Sequence, residues 1–211
     1  MIRVLIADDH AIVRHGLKQI LADSGCMTVV AEAENGMDAV QKARALNGAV
    51  DVALLDISMP GKSGIDALKM IRDEIPGLPV LILSMYPEEQ YAVRLIRAGA
   101  AGYMTKESAP QVLVEAILRV ASGKKYISPS VAEMLAEEVG GGNNASLHAS
   151  LSDREYQILI QLASGKTVSG IAEEMNLSVK TISTYRSRIL GKMRLKNNAE
   201  LTHYVINHQL V

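Results

Sequence analysis

The alternation of two apolar patterns along residues 2–121 restricts the fold more than any other feature of the sequence. Short apolar runs predict strands, and apolar residues three to four positions apart predict amphipathic helices. Strands are predicted at roughly 2–7, 28–32, 50–56, 79–84 and 102–104, and helices near 12–23, 36–46, 63–74, 88–97 and 109–121. In the first helix the predicted apolar face consists of Ile12, Val13, Leu17, Ile20 and Leu21. Five strand–helix units in succession predict an α/β domain whose parallel sheet carries helices on both faces.

The third apolar run ends on a carboxylate. Val52–Leu55 predict a strand buried on both faces, and Asp56 follows it directly. Pro60, Gly61 and Gly64 come next, and such turn residues do not continue a central strand. Because open parallel sheets bind ligands at the carboxyl ends of their strands, Asp56 is predicted at a ligand-binding edge. An aspartate that merely ends a strand and caps a turn would give the same local pattern.

Polar residues also stand at the ends of three other predicted strands. Asp8 and Asp9 follow the first strand, Ser84 ends the fourth and Lys106 follows the fifth. Right-handed crossovers bring the carboxyl ends of parallel strands to one edge, so these side chains are expected to meet Asp56. Each residue alone would be an ordinary turn or surface residue, and it is their coincidence at strand ends that indicates a site.

The chemistry of this predicted edge follows from its residue types. Carboxylates in one place raise one another's pKa unless a cation shares the site, and hard oxygen ligands with room for water suit Mg²⁺. A lysine ammonium and a serine hydroxyl can bind phosphoryl oxygens, and a carboxylate can itself accept a phosphoryl group. The edge is therefore suited to magnesium-assisted phosphoryl chemistry.

The charge balance differs between the two parts of the chain. Residues 1–150 carry 14 Lys and Arg against 18 Asp and Glu, whereas residues 151–211 carry 8 against 5. A basic carboxyl-terminal part suggests a polyanionic partner.

Cys26 is the single cysteine, which excludes an internal disulfide and a cysteine-cluster zinc site. Neither a secretory leader nor a membrane-length apolar run is recognisable, so we expect a location in the reducing cytoplasm, with no membrane partner.

The pattern divides the chain into a first domain at 1–122, a linker at 123–150 and a second domain at 151–211. Ser128 and Pro129 predict the start of a short linker helix through Val139, and residues 140–146 predict a flexible, protease-sensitive tether. Helices near 153–163, 168–175, 179–193 and 198–208 predict an all-α second domain that begins at a capping box of Ser152 and Glu155. Its second and third helices have the helix-turn-helix arrangement.

The helix at 179–193 has two contrasting faces. Five apolar residues form a stripe: Val179, Ile182, Ile189, Leu190 and Met193. The opposite face carries cations and hydroxyls without a carboxylate: Lys180, Thr181, Ser183, Thr184, Tyr185, Ser187, Arg188 and Lys192. Such a face suits the phosphates and base edges of a major groove. On its own, however, the pattern favours a solvated amphipathic surface helix.

The motifs of the first domain resemble the receiver domain of bacterial two-component response regulators, which has a flavodoxin-like (βα)5 fold. The matching segments are 6–10 (IADDH), 55–61 (LDISMPG) with Gly64, 83–84 (LS) and 99–106 (GAAGYMTK). The resemblance implies that Asp56 accepts a phosphoryl group from a sensor histidine kinase. It also implies a Mg²⁺ site formed by Asp9, Asp56 and the Ser58 carbonyl, with Asp8 acting through water.

The same resemblance assigns the remaining residues of the edge. Ser84 and Lys106 would bind the phosphoryl oxygens, and Tyr103 matches the switch aromatic that turns inward when Ser84 moves toward the phosphate. An amphipathic tyrosine on an edge strand would also account for Tyr103. Glu107 stands where many receivers have proline, which removes the usual reason for a cis peptide bond after Lys106.

The second domain resembles the LuxR-type DNA-binding domain, so that the whole chain is similar to the NarL/FixJ family of response regulators. The matching segments are 151–155 (LSDRE), 171–172 (IA), 177–182 (LSVKTI), 185–186 (YR) and 189–193 (ILGKM). The resemblance implies phosphate contacts by Lys180, Thr181, Tyr185, Arg188 and Lys192 and base contacts by Ser183, Thr184 and Ser187. The last helix would form the dimer surface on DNA or pack in the core through Leu201, Tyr204, Val205 and Ile206.

We therefore expect a non-enzymatic transcriptional regulator that binds promoter DNA as a homodimer after phosphorylation of Asp56, with RNA polymerase as a candidate further partner. One alternative is a regulator that binds DNA independently of phosphorylation. A Mg²⁺-dependent phosphohydrolase is another, although Ser58 stands where its second catalytic acid would be expected. A protein-interaction adaptor that does not bind DNA is the third.

Overall fold

The computed structural model describes residues 1–140, 147–208 and 210. The chain forms two compact units, Met1–Leu135 and Ala136–Val211, so the division falls inside the predicted linker helix. Most of the predicted tether, residues 141–146, lies outside the described residues. None of the helices in the described part of the chain combines the length and apolar character that crossing a bilayer requires.

The first unit is the predicted five-stranded α/β domain. Its strands are β1 (Ile2–Ala7), β2 (Met27–Ala33), β3 (Val52–Leu55), β4 (Val80–Ser84) and β5 (Gly102–Thr105). Its helices are α1 (Ala11–Asp23), α2 (Gly36–Ala45), α3 (Gly64–Glu74), α4 (Glu88–Arg97) and α5 (Pro110–Ala121). All strand pairs are parallel, in the order β2-β1-β3-β4-β5. The fold class predicted from the alternation is confirmed.

The sheet places the ends of its central strands side by side. Ala7 on β1 pairs with Leu55 on β3, and the Asp56 N–H donates to the Ala7 carbonyl at 2.8 Å. Asp8 and Asp56, which directly follow β1 and β3, therefore lie at the same edge of the sheet. Every residue of β3 is buried, as the continuous apolar run predicts for a strand covered on both faces.

Helix α1 buries a different residue from the one expected at its start. Ile12 belongs to the apolar pattern but is 87% exposed, whereas Arg14 is only 8% exposed. The Arg14 guanidinium donates to the Asp8 carbonyl at 2.7 Å and to the Glu34 carboxylate at 3.0 Å. Buried charge is tolerated where it is hydrogen-bonded and paired. The hydrogen bonds of Arg14 therefore allow this residue, and not Ile12, to take the buried position in the first turn of α1.

A further helix, α6 (Pro129–Gly140), begins where the Ser-Pro pair predicts. The Ser128 hydroxyl accepts from the Val131 N–H at 3.3 Å and donates to the Glu88 carboxylate of α4 at 2.7 Å. Ser130 donates to the same carboxylate. The start of α6 is thus attached to the start of α4 by two hydroxyls on one charged acceptor.

The second unit is helical. A 3-10 turn (Leu147–Ser150) precedes α7 (Asp153–Ala163), α8 (Val168–Glu174), α9 (Val179–Met193) and α10 (Asn198–Asn207). The predicted capping box is present, because the Ser152 side chain accepts from the Glu155 N–H and the Glu155 carboxylate accepts from the Ser152 N–H. The core side chains of α9 are Ile182, Ile189 and Met193, each 0% exposed. Val179, which the pattern places in the apolar stripe, is 50% exposed because it occupies the first turn of the helix.

Candidate metal centre and nucleic-acid interface

Three charged side chains from three strand ends meet in the first unit. Asp8 and Asp56 are 2% and 4% exposed. The Lys106 Nζ lies 2.6 Å from Asp8 Oδ2 and 2.9 Å from Asp56 Oδ2. These contacts bring together residues that are as much as 98 positions apart in the chain. The expectation that the strand ends converge is met for this trio.

One ammonium shared by two buried carboxylates leaves the site with an excess of negative charge. Burial raises the pKa of Asp56, and Lys106 only partly offsets that effect. Burial alone would lower the pKa of Lys106, but the charge of Asp56 and the hydrogen bonds to both carboxylates outweigh it and raise the pKa. Both shifts have the same meaning: the site favours additional positive charge.

Further donor atoms lie beside the two buried carboxylates. Asp8, Asp9, His10 and Asp56 each offer one ligand atom, and these four atoms lie within 4.8 Å of one another. The Asp9 carboxylate is 31% exposed and gives the group an open side. Hard oxygen donors with solvent access fit a Mg²⁺ ion that keeps several of its waters.

Two residues beside these carboxylates, His10 and Arg14, were not predicted from the sequence pattern. His10 comes without an evident partner in the sequence, yet its Nδ1 lies 2.9 Å from Asp9 Oδ1 and 3.3 Å from Asp8 Oδ1. Its position directly after the two aspartates and directly before α1 was the available signal. Arg14 holds the backbone of the first aspartate, and the apolar period gave no sign of that contact.

The loop after Asp56 depends on the absence of a side chain at Gly64. A Cβ at this position would lie 1.9 Å from the Asp56 carbonyl oxygen. The Gly64 N–H also donates to the Ile57 carbonyl at 3.1 Å, and Ser63 caps the following helix. The chain turns so tightly after Asp56 that only the hydrogen atom of a glycine fits at position 64.

Ser58 lies on the exposed side of the same loop. Its backbone N–H hydrogen-bonds to the Asp56 carboxylate, which lowers the pKa of Asp56 slightly against the effect of burial. Its hydroxyl donates to the Tyr86 hydroxyl at 3.3 Å. The role of its carbonyl as a metal ligand stays a prediction.

Ser84 and Tyr103 form a buried pair beside the charged trio. The Ser84 carbonyl accepts from the Lys106 N–H at 2.8 Å, and its hydroxyl accepts from the Tyr86 N–H at 3.2 Å. Tyr103 is 1% exposed, and its hydroxyl donates to the Tyr86 carbonyl at 2.7 Å. Burial raises the pKa of Tyr103, although a hydrogen bond with Ser84 opposes this. The tyrosine thus points inward here, and its role as a switch stays a prediction.

The peptide bond between Lys106 and Glu107 is trans, as are all peptide bonds in the described part of the chain. This agrees with the departure from proline noted in the sequence.

The polar face of α9 forms a shallow cavity of about 330 Å³. Five residues with predicted DNA contacts line it, together with the capping Ser178: Lys180, Thr181, Thr184, Tyr185 and Arg188. Cations and hydroxyls around a concave surface suit a phosphate backbone. The cavity therefore groups most of the predicted contacts on one side of the helix.

The other three predicted contacts lie outside this lining. Ser183 and Ser187 are exposed, and the Ser187 hydroxyl donates to the Ser183 carbonyl at 3.1 Å. The Lys192 ammonium lies 2.6 Å from Glu155 Oε2. Burial would raise the pKa of Glu155, but hydrogen bonds from Lys192 and Ser152 outweigh it and lower the pKa. Lys192 is thus engaged within the domain, and a phosphate contact would have to share its ammonium with Glu155.

Helix α10 divides its apolar residues between core and surface. Leu201 and Val205 are 0% exposed, so they pack in the core, whereas Ile206 is 57% exposed. The Tyr204 hydroxyl lies 3.0 Å from His148 Nδ1 of the 3-10 turn. Of the residues considered for a dimer surface, Ile206 is the apolar one that is exposed.

Comparison with known proteins agrees with this arrangement. Residues 4–118 match the response regulator receiver domain, and residues 149–205 match the bacterial regulatory proteins of the luxR family. Response regulator UvrY of Escherichia coli (strain K12) is 41% identical over 211 residues, which cover 100% of this chain and 96% of UvrY. Response regulator GacA of Pseudomonas aeruginosa is 38% identical over 212 residues, covering 100% of this chain and 98% of GacA.

Solved structures show the same similarity. RcsB from Salmonella enterica serovar Typhimurium, bound to promoter rprA in the presence of the phosphomimetic BeF3-, has a TM-score of 0.65 at 28% identity, covering 97% of this chain and 98% of that one. ChrA, the response regulator of a heme-sensing two-component system, has a TM-score of 0.54 at 32% identity, covering 100% of this chain and 98% of that one. The protein therefore belongs to the NarL/FixJ family of LuxR-type response regulators and is a phosphorylation-activated, DNA-binding transcription regulator.

Proposed function

We propose that Asp56 is the residue that accepts the phosphoryl group, and that its donor is a phosphohistidine on a sensor histidine kinase. The observation that carries this proposal is the Lys106 ammonium, which lies 2.9 Å from Asp56 Oδ2 at the end of β3. An ammonium in contact with the nucleophile can stabilise the charge that the incoming phosphoryl oxygens bring. Ser84, whose carbonyl accepts from the Lys106 N–H, is proposed as the second phosphoryl ligand.

In the proposed transfer, an Asp56 carboxylate oxygen forms a new P–O bond as the P–N bond of the phosphohistidine breaks. The imidazole leaves with the electron pair of that bond, so the phosphoryl group moves without a net redox change. Mg²⁺ held by Asp9, Asp56 and the Ser58 carbonyl, with Asp8 acting through water, would neutralise charge on the phosphoryl oxygens. The excess negative charge of the four-residue donor group supports this ion.

We propose that promoter DNA is bound by the polar face of α9, and that phosphorylation favours a homodimer that presents two such helices. The proposed phosphate contacts are Lys180, Thr181, Tyr185, Arg188 and Lys192, and the proposed base contacts are Ser183, Thr184 and Ser187. Two helices of a helix-turn-helix dimer meet half-sites about one helical turn apart. Tyr103 and Ser84 are proposed as the switch that links phosphorylation to this change, with Tyr103 already buried in this structure.

The remaining parts of the proposal concern organisation and location. We propose a receiver at 1–122, a linker at 123–150 and a DNA-binding domain at 151–211. Because the proposed target is promoter DNA, the protein is proposed to act in the cytoplasm, where RNA polymerase is a candidate further partner. It would accept one phosphoryl group per chain and would not turn over phosphate esters as an enzyme.

The experiment compares DNA affinity before and after treatment with acetyl phosphate and Mg²⁺, on a duplex selected from a random pool by the treated wild-type protein. Asp56→Ala is the test variant, and Asp73→Ala is the control because Asp73 is an exposed aspartate on α3. We expect wild type and Asp73→Ala to gain affinity and to carry one labile phosphoryl group per chain, and Asp56→Ala to show neither. An equal gain of affinity in Asp56→Ala would refute the proposal, and sustained hydrolysis of acetyl phosphate would favour the phosphohydrolase.

A further inference from the structure

The candidate metal centre contains a nitrogen donor that an all-oxygen Mg²⁺ site does not need. His10 Nδ1 lies 2.9 Å from Asp9 Oδ1 and 3.3 Å from Asp8 Oδ1. Two neighbouring ligands of an octahedral ion, each about 2.1 Å from it, lie about 3.0 Å apart. His10 Nδ1 and Asp9 Oδ1 therefore have the spacing of two adjacent ligands of one ion.

Asp8 contacts Lys106 and His10 through different oxygens. Lys106 Nζ lies 2.6 Å from Asp8 Oδ2, whereas His10 Nδ1 lies on the side of Asp8 Oδ1. The His10 backbone N–H donates to Asp8 Oδ1 at 2.9 Å, which anchors the residue beside the carboxylate. The His10 side chain is 66% exposed, so its ring lies on the solvent side of the group.

From this geometry we propose that His10 is a metal ligand through Nδ1 and that it sets the metal preference of the site. Imidazole nitrogen favours borderline divalent ions such as Co²⁺, Ni²⁺ and Zn²⁺, whereas Mg²⁺ prefers oxygen. A fourth donor of this type therefore raises affinity for the borderline ions and leaves affinity for Mg²⁺ nearly unchanged. The inference uses the metal centre of the proposed function and adds to it the selectivity between ions.

The same distances also suit an N–H···O hydrogen bond from the ring to the carboxylates. The two arrangements differ in whether the nitrogen touches the ion, and pulsed electron paramagnetic resonance of bound Mn²⁺ measures this directly as a nitrogen hyperfine coupling. His10→Ala is the test variant. His15→Ala is the matched control, because His15 is an exposed histidine on α1, the helix that His10 precedes, and these two are the histidines of the first unit.

We expect a nitrogen coupling in the wild-type protein and in His15→Ala and none in His10→Ala. In calorimetric titrations of the full chain, His10→Ala is expected to lose about tenfold in affinity for Co²⁺ and less than about twofold for Mg²⁺. Thermal unfolding of the three proteins verifies that the variants are folded.

Absence of nitrogen coupling in the wild-type protein, or equal losses for Co²⁺ and Mg²⁺ in His10→Ala, would overturn the assignment of His10. If Mg²⁺ binding and phosphorylation by acetyl phosphate persist in that case, the proposed function stands and this inference alone fails. If the wild-type protein binds neither ion, both the metal centre of the proposed function and the role of His10 fail.

Discussion

Replacement of Lys106 by methionine tests the electrostatic reasoning about the site. The substitution keeps much of the aliphatic volume and removes the ammonium that contacts Asp8 and Asp56 at 2.6 and 2.9 Å. At an effective dielectric constant of about 20, each contact corresponds to about 6 kcal/mol of attraction. Desolvation of the three groups offsets most of this attraction. Removal of one partner from a buried pair then lowers the free energy of unfolding by about 3–5 kcal/mol.

The loss is expected to depend on pH. Burial already raises the pKa of Asp56, and loss of the ammonium raises it further. If the pKa of an acid is higher in the folded state, the folded protein keeps the proton at pH values where the unfolded chain has already released it. The contribution of the protonated Asp56 to stability is therefore present at low pH and is lost as pH rises through its folded-state pKa. The destabilisation of Lys106→Met is thus larger at pH 7 than at pH 5.

The assay is urea unfolding of the full chain, followed by circular dichroism at pH 7 and pH 5 without divalent ions. Lys124→Met is the control, because Lys124 is exposed and has no role in the site. Lys106→Met combined with Asp56→Asn removes one buried negative charge and is expected to recover about half of the loss. A Lys106→Met variant within about 0.5 kcal/mol of the control at both pH values would refute the reasoning, since surface substitutions have effects of that size.

Three further predictions concern stability and attachment. Asp51→Asn breaks a bidentate but partly exposed pair with Arg3 and is expected to cost about 1 kcal/mol. The pKa of Asp51 is lowered to about 2, so the difference in unfolding free energy between wild type and Asp51→Asn is present at neutral pH. It vanishes as the pH falls below the pKa of Asp51 in the unfolded chain toward 2, and urea unfolding at a series of pH values measures it. Gly64→Ala forces a Cβ into a main-chain carbonyl and is expected to lower the free energy of unfolding by more than about 2 kcal/mol, and an unchanged melting temperature would contradict this. Glu88→Gln removes the charge that accepts the hydrogen bonds of Ser128 and Ser130 at the start of α6, so amide exchange at residues 130–135 is expected to rise about tenfold. Glu89→Gln, at the neighbouring exposed residue, is the control and is expected to leave this exchange unchanged.

The order of elements was predictable because each depends on local pattern. The continuous run Val52–Leu55 predicts a buried central strand, and all four residues are buried. Ser152 and Glu155 predict a helix start from two side chains, and the helix begins there. Ile12 was wrongly assigned to a buried face, because periodicity does not show that the adjacent turn is occupied by the hydrogen bonds of Arg14.

The sequence by itself determined the α/β class of the first domain, the helical second domain and the residues that stand at strand ends. These follow from apolar period, turn residues and capping residues, all of which act over a few positions. Only the tertiary structure decided that Lys106 is shared by Asp8 and Asp56, that His10 joins the carboxylates, and that Lys192 is paired with Glu155. Such contacts join residues distant in the chain or depend on side-chain direction, and a linear pattern does not contain the distances that set charge and ligand geometry.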